Sequence, residues 1–253
     1  MSQAAVERTR NPFRGLETKP ETDAPRASAA DSGAVLPAPE LKLREMTGFE
    51  EEAIERAADQ PNSARLVNEV LARCLVAPGE DYRAPLDRIR RLLVADRDVA
   101  LVRLRQMSLG DAIESEVACP SCAETMAARF ALSDLPLDVP RPPERIRAGL
   151  PDGRVAVMRL PTAGDQEDLL DQGLELAAER RTFLLARLIL AIDTAGPLTP
   201  DSVRALPTQV RYAIEAAIDD ATPALDLTMG VTCNACGHGF SAPLDVDAFF
   251  FSK

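Results

Sequence analysis

The chain has 253 residues, 46% of them hydrophobic, which is enough to bury a sizeable core in one or two domains. A formal charge of −11 argues against DNA, RNA or an anionic membrane as the principal partner. No run reaches membrane-spanning length, because the most apolar stretch, residues 183–192, is interrupted by Arg187.

Residues 1–40 mix Pro, Ala, Ser, Thr and both charges without a sustained period, and Pro37-Ala38-Pro39 closes them. This composition predicts a disordered or extended N-terminal arm. Its first residues carry Glu7, Arg8, Arg10 and Arg14 and no apolar core, so they do not read as a secretion signal. A helical region is expected over 41–110. It starts with a short alternating stretch, 41–46, after which Thr47 caps a helix opening on Glu50, Glu51 and Glu52. Ser63 opens a second helix, with Leu66, Val70 and Cys74 along its apolar face. Residues 86–93 and 96–107 predict two more, decorated by Arg83, Arg88, Arg90, Arg91, Arg97, Arg103 and Arg105 among Asp87, Asp96 and Asp98. Without aromatic platforms for bases, these arginines read as a solvated or inter-subunit ion-paired face, ahead of a nucleic-acid groove.

Two Cys-x-x-Cys knuckles follow, Cys119-Pro120-Ser121-Cys122 and Cys233-Asn234-Ala235-Cys236, using four of the five cysteines. Each lies between two apolar or alternating runs, the pattern of a β-hairpin with the knuckle at its tip. Two such tips facing each other supply the four soft ligands of a tetrahedral zinc site. The two pairs are separated by 110 residues, far more than the usual spacing, so one shared zinc requires a subdomain inserted between the ribbon's halves. Disulfides or unligated thiols are the alternatives; an odd cysteine count and a reducing cytoplasm weigh against disulfides. Gly237 suits the positive φ wanted after the second knuckle, and Ala123 suits it less after the first. His238, the single histidine, reads as a solvent-facing turn residue or, less favoured, as a substitute ligand.

Between the knuckles, Pro-rich residues 134–143 connect to a hairpin, 145–150 and 154–160, around the turn Pro151-Asp152-Gly153. Thr162 caps a helix containing Asp165, Gln166, Glu167 and Asp168. Residues 183–192 predict an apolar core helix, Thr199-Pro200 starts another, and 207–221 completes the insert. The end, Phe249-Phe250-Phe251, carries three consecutive rings that do not fit one core together. One or two are expected to pack under the ribbon and the third to be exposed for docking, burial of all three being the alternative. The fold class is thus α+β: a helical body with short β-hairpins and a split four-cysteine zinc ribbon carrying a large insert. Its parts are the arm 1–40, helical region 41–110, ribbon 111–134 plus 225–253, and inserted hairpin and helical subdomain 135–224.

The order of several segments resembles a known family. These are Leu43-Arg44-Glu45-Met46-Thr47-Gly48 followed by acids, Leu92-Leu93-Val94-Ala95-Asp96-Arg97-Asp98, and Gly110-Asp111 ahead of the first knuckle. Further on come Leu160-Pro161-Thr162-Ala163-Gly164-Asp165-Gln166 and a Cys-x-x-Cys-Gly-His closing on Asp245-Val246 and Phe249-Phe250. Together, over residues 41–253, they resemble the T-even-phage-type baseplate protein family of contractile tails and bacterial extracellular contractile injection systems. The resemblance implies a structural component of the hub or wedge region, or an assembly factor, made in the cytoplasm and assembled into a phage-tail-like particle. Its partners would be other baseplate subunits, with no nucleic acid, membrane insertion or small-molecule substrate.

The metal ligands expected are Cys119, Cys122, Cys233 and Cys236, holding a structural zinc. A closed four-sulfur site leaves no position for water and does no chemistry. One histidine gives no relay, and neither a phosphate-cradling glycine loop nor a serine elbow is present, so no enzyme is expected. A zinc-ribbon nucleic-acid or transcription-associated module is the alternative, disfavoured by charge and by the absence of Trp.

Overall fold

Acidic first turns, polar caps and short alternating runs divide the chain into eight α-helices and seven strands among the described residues, an α+β architecture. The computed structural model describes residues 41–57, 62–76, 83–137, 141–223, 225 and 228–243. The expectations for the arm 1–40 and for Phe249–Phe251 lie outside them.

Helix α1 (Gly48–Ala57) begins as its sequence suggests, but one of its acids turns inward. Glu50 is 2% exposed and accepts from the Thr47 N–H and hydroxyl, both at 2.9 Å, and from Arg44 at 3.0 Å. The Arg44 hydrogen bonds, helped by Thr47, outweigh burial and hold the carboxyl down at about 2. The expected strand at 41–46 is reduced to one antiparallel bridge, Leu43 to Leu75, flanked by Arg44 N–H to Cys74 O at 2.9 Å. Helix α2 (Ser63–Cys74) is capped by Asn62, which accepts from the Arg65 N–H, so the cap falls one residue before Ser63. Cys74 is fully buried on the helix's apolar face, as its spacing predicts.

Helices α3 (Arg83–Arg90) and α4 (Val94–Leu109) pack with α2 around Val67, Val70, Leu71, Ile89, Leu101 and Leu104. Ile113 and Leu132, from the first hairpin, join the same core. The arginines here differ from expectation in one important respect. Arg88, Arg91 and Arg103 are exposed, but Arg97 is completely buried. A guanidinium out of water must be matched group by group. Arg97 donates to Asp98 Oδ1 from Nε (3.0 Å) and Nη2 (2.6 Å), and to Gln166 Oε1 from Nη1 (2.7 Å).

Strands β1 (Ala112–Ala118) and β2 (Thr125–Ala131) form the first antiparallel hairpin, with Ala118 opposite Thr125 at its tip. A second sheet has the order β3-β4-β5, all antiparallel: β3 (Ile146–Gly149), β4 (Val155–Met158) and β5 (Ile189–Ile192). Between them lie α5 (Ala163–Asp171) and α6 (Ala177–Leu188). Thr162 and Asp165 form a capping box at α5, as the sequence suggests. The apolar run 183–192 is a correction: the helix stops at Leu188 and the chain becomes β5. Ile189 and Ile192 are β-branched, and extending them covers the edge of β4 that would otherwise lie open.

Helices α7 (Pro200–Arg204), capped by Thr199, and α8 (Thr208–Ala221) complete a second core around Met158, Leu184, Leu185, Leu188, Val203, Ile214 and Ile218. Strands β6 (Thr228–Thr232) and β7 (Gly239–Pro243) form the last hairpin.

Candidate metal centre

The β1–β2 and β6–β7 hairpins end in tips built on one backbone plan. In the first, the Cys119 N–H donates to Glu124 O and the Ala123 N–H to Cys119 O, each at 2.9 Å. In the second, the Cys233 N–H donates to His238 O and the Gly237 N–H to Cys233 O, again at 2.9 Å. Both plans need a left-handed residue just after the second cysteine: φ is 72° at Gly237 and 59° at Ala123. Glycine takes this without strain, whereas Ala123 carries about 1–2 kcal/mol of it. That a strained residue is kept there shows how firmly the tip's shape is determined.

The tips meet sulfur to sulfur. Cys119 Sγ lies 3.7 Å from Cys236 Sγ, and Cys122 Sγ lies 3.6 Å from Cys233 Sγ. All four sulfurs fall within 4.8 Å of one another. Bonds of about 2.3 Å to a central zinc would set tetrahedral sulfur separations of about 3.8 Å, so the gathered sulfurs have the dimensions of a metal cage. No disulfide joins any of the five cysteines. Cys119 and Cys233 are buried beneath Met126, Val117, Val231 and Phe240, while Cys122 and Cys236 face outward.

Electrostatics push the sulfurs apart in character. The Cys236 N–H, with help from Ala235 and the neighbouring thiols, pulls Cys233 down to about 7. At Cys122 the Glu124 N–H pulls the same way, but Cys236, burial, Cys233 and Cys119 outweigh it and raise the thiol to about 12. Four adjoining thiols cannot all ionise together without a cation among them, and a divalent ion supplies that charge. The donor set therefore fits a soft metal ion. His238 is exposed, outside the sulfur group, with its ring stacked near Phe240 at a centroid distance of 6.3 Å.

Sequence reasoning missed a second constellation, where α5 meets α2, α3 and α6. Glu167 is 5% exposed and pairs with Arg65 and Arg90. Asp168 joins Arg90 and Arg187, both at 2.7 Å. Asp165 joins Arg159 (2.5 Å) and Arg187 (2.8 Å). Burial raises the Asp165 carboxyl, but Arg159, Thr162 and Arg187 outweigh it and hold it at about 2. The one signal in the sequence was four acids close together on α5, Asp165, Glu167, Asp168 and Asp171; their partners are Arg159 just before the helix and Arg65, Arg90 and Arg187 on helices remote in the chain.

No helix among the described residues is long and apolar enough to cross a membrane. No curated protein and no solved structure matches the chain significantly. The family described as T4 bacteriophage base plate protein matches residues 29–251, a span that includes all four gathered cysteines and both cores. That family supports a structural, baseplate-related role in contact with other baseplate subunits. With the match covering most of its length, the chain belongs to the T4 bacteriophage base plate protein family.

Proposed function

We propose that the protein is a structural baseplate component of the hub or wedge region, or a baseplate assembly factor, of a phage-tail-like contractile injection system. The observation that carries this reading is the family match over residues 29–251. In the same reading Cys119, Cys122, Cys233 and Cys236 hold one structural zinc, and residues 135–224 form a subdomain inserted between the ribbon's two halves. The ion, when bound, neutralises the thiolates and ties the hairpins together. Because it joins residues 111 and 117 positions apart, its binding energy becomes folding energy for the whole chain. The protein then acts by contact with neighbouring subunits and carries no reaction of its own.

Deleting the gene in the native cell and purifying the particles tests the role. Sheaths and tubes not joined to a working baseplate are expected, with the defect rescued by the full chain. Mass spectrometry of wild-type particles then tells a resident subunit from an assembly factor. Normal, firing particles from the deletion strain would contradict the reading, and retention of the pure protein on DNA at physiological salt would favour the nucleic-acid alternative.

A further inference from the structure

A pocket of about 340 Å³ opens beside the first turn of α5, where Arg90, Arg91, Arg159 and Arg187 converge from three separate parts of the chain. Two of its three carboxylates, Asp165 and Asp168, are already committed. Asp165 Oδ1 accepts from Arg159 Nη2 and Arg187 Nε, and Oδ2 from Arg159 Nη1 and both the N–H and hydroxyl of Thr162. Asp168 accepts from Arg90 on one oxygen and from Arg187 on the other.

The donors are in surplus. Among the described residues Arg187 Nη1, Arg90 Nε and Arg159 Nε have no hydrogen-bond partner and the exposed Arg91 uses none of its side-chain donors, while the Arg187 guanidinium lies over the Phe183 ring at 5.5 Å. Ion pairs hold Arg90, Arg159 and Arg187 in place, so those three have little side-chain entropy left to lose on binding. The helix N-terminus adds its partial positive charge. On the lip, Asp87 is the one carboxylate with no partner among the described residues.

We propose that this arginine pocket is a docking site for an acidic segment of a partner protein, receiving a Glu or Asp carboxylate between Arg91 and Arg187. A carboxylate suits it because planar, bidentate acceptors match guanidinium forks. A nucleic-acid backbone suits it less. The whole chain's charge of −11 repels a polyanion at long range, while one carboxylate entering the pocket meets four arginines against three aspartates, two of the aspartates already paired, within a Debye length of about 8 Å. The inference rests on the baseplate reading only in naming a neighbouring subunit as the owner of that segment.

The test uses the isotope-labelled full chain, reduced and metal-replete, titrated with a short oligoglutamate peptide and followed by amide shifts. Oligoglutamine and oligothymidylate serve as controls. Saturable shifts at Arg91, Thr162 and Gly164 are expected with oligoglutamate only. Arg91→Glu should weaken binding about five- to tenfold and Asp87→Lys should tighten it by a smaller factor, as surface charge pairs allow. Both side chains are exposed and make no ion pair among the described residues, so both variants should keep the wild-type fold and spectrum. Absence of saturable shifts at these amides overturns the proposal, as does wild-type affinity in both variants. Tighter binding of oligothymidylate assigns the pocket to nucleic acid instead. A failed titration beside a defective deletion strain removes the pocket and leaves the baseplate role intact. A successful titration beside normal deletion particles does the reverse.

Discussion

Two joints tie distant parts of this chain together, and they differ in what completes them. At the hairpin tips, four sulfurs within 4.8 Å of one another form a set that repels itself once ionised. Around α5, negative and positive groups alternate from Asp171 through Arg65, Glu167, Arg90, Asp168, Arg187 and Asp165 to Arg159, four of each, so the charges of this chain of pairs balance. Under the proposed zinc assignment, the sulfur joint takes a cation from outside and gains with it more than side chains alone could supply. The ionic joint needs nothing added, but each member depends on its neighbours. One joint should therefore fail as a whole and the other piece by piece.

The largest effect should come from the sulfur joint. Stripping the proposed metal, or making Cys233→Ser, should remove a binding energy on the order of 10 kcal/mol, comparable to the whole stability of a typical domain. Cooperative thermal unfolding should collapse in both cases. Cys74→Ser, a buried thiol in the first core, should cost only about 1–3 kcal/mol. Equal losses at Cys74 and Cys233 would remove the special status of the ribbon.

Next in size is the buried pair beneath the ionic joint. Arg97→Met strands Asp98 at 4% exposure and should cost about 3–5 kcal/mol in denaturant unfolding. Adding Asp98→Asn should recover part of that loss, because the uncompensated charge disappears with it. If the double variant is as unstable as the sum of the two single ones, the two side chains are not coupled as described.

A third effect depends on pH. The Asp165 carboxyl sits at about 2 when folded against an ordinary value of 3.8, so folding favours its ionised form. Its contribution, roughly 2 kcal/mol, is complete above pH 4 and is lost as pH falls toward 2. Asp165→Asn should flatten that part of the stability profile; an unchanged acid limb would show that other carboxylates govern it.

The smallest effect concerns how closely α3 and α5 approach. A Cβ on Gly164 would lie 3.0 Å from Arg90 O and 3.3 Å from Arg90 Cβ. Gly164→Ala gains helix propensity, yet must push backbone from backbone, and a net loss of about 1 kcal/mol is expected, read as a lower melting temperature. A stabilised variant would mean that the contact yields easily.

The contrast also explains what could be read in the sequence. Each Cys-x-x-Cys knuckle is a local pattern, and so are the Thr162 capping box, the Pro151-Asp152-Gly153 turn and the Thr199 cap, because partners lie within a few residues. Arg97 looks on the page like Arg103, one more charge on an arginine-rich helix, because its distinguishing partner, Gln166, lies 69 positions away. Glu50 hides in the same way among Glu51 and Glu52. The run 183–192 carries apolar residues of both helical and extended preference, and only the open edge of β4 decides that Ile189 leaves the helix.

Elemental analysis of freshly purified, reduced full-length protein tests the central claim most directly. The account predicts one zinc per chain in the wild type and in Cys74→Ser, and its loss in Cys233→Ser. Wild-type protein that is fully folded, cooperative in melting and free of bound metal would contradict it.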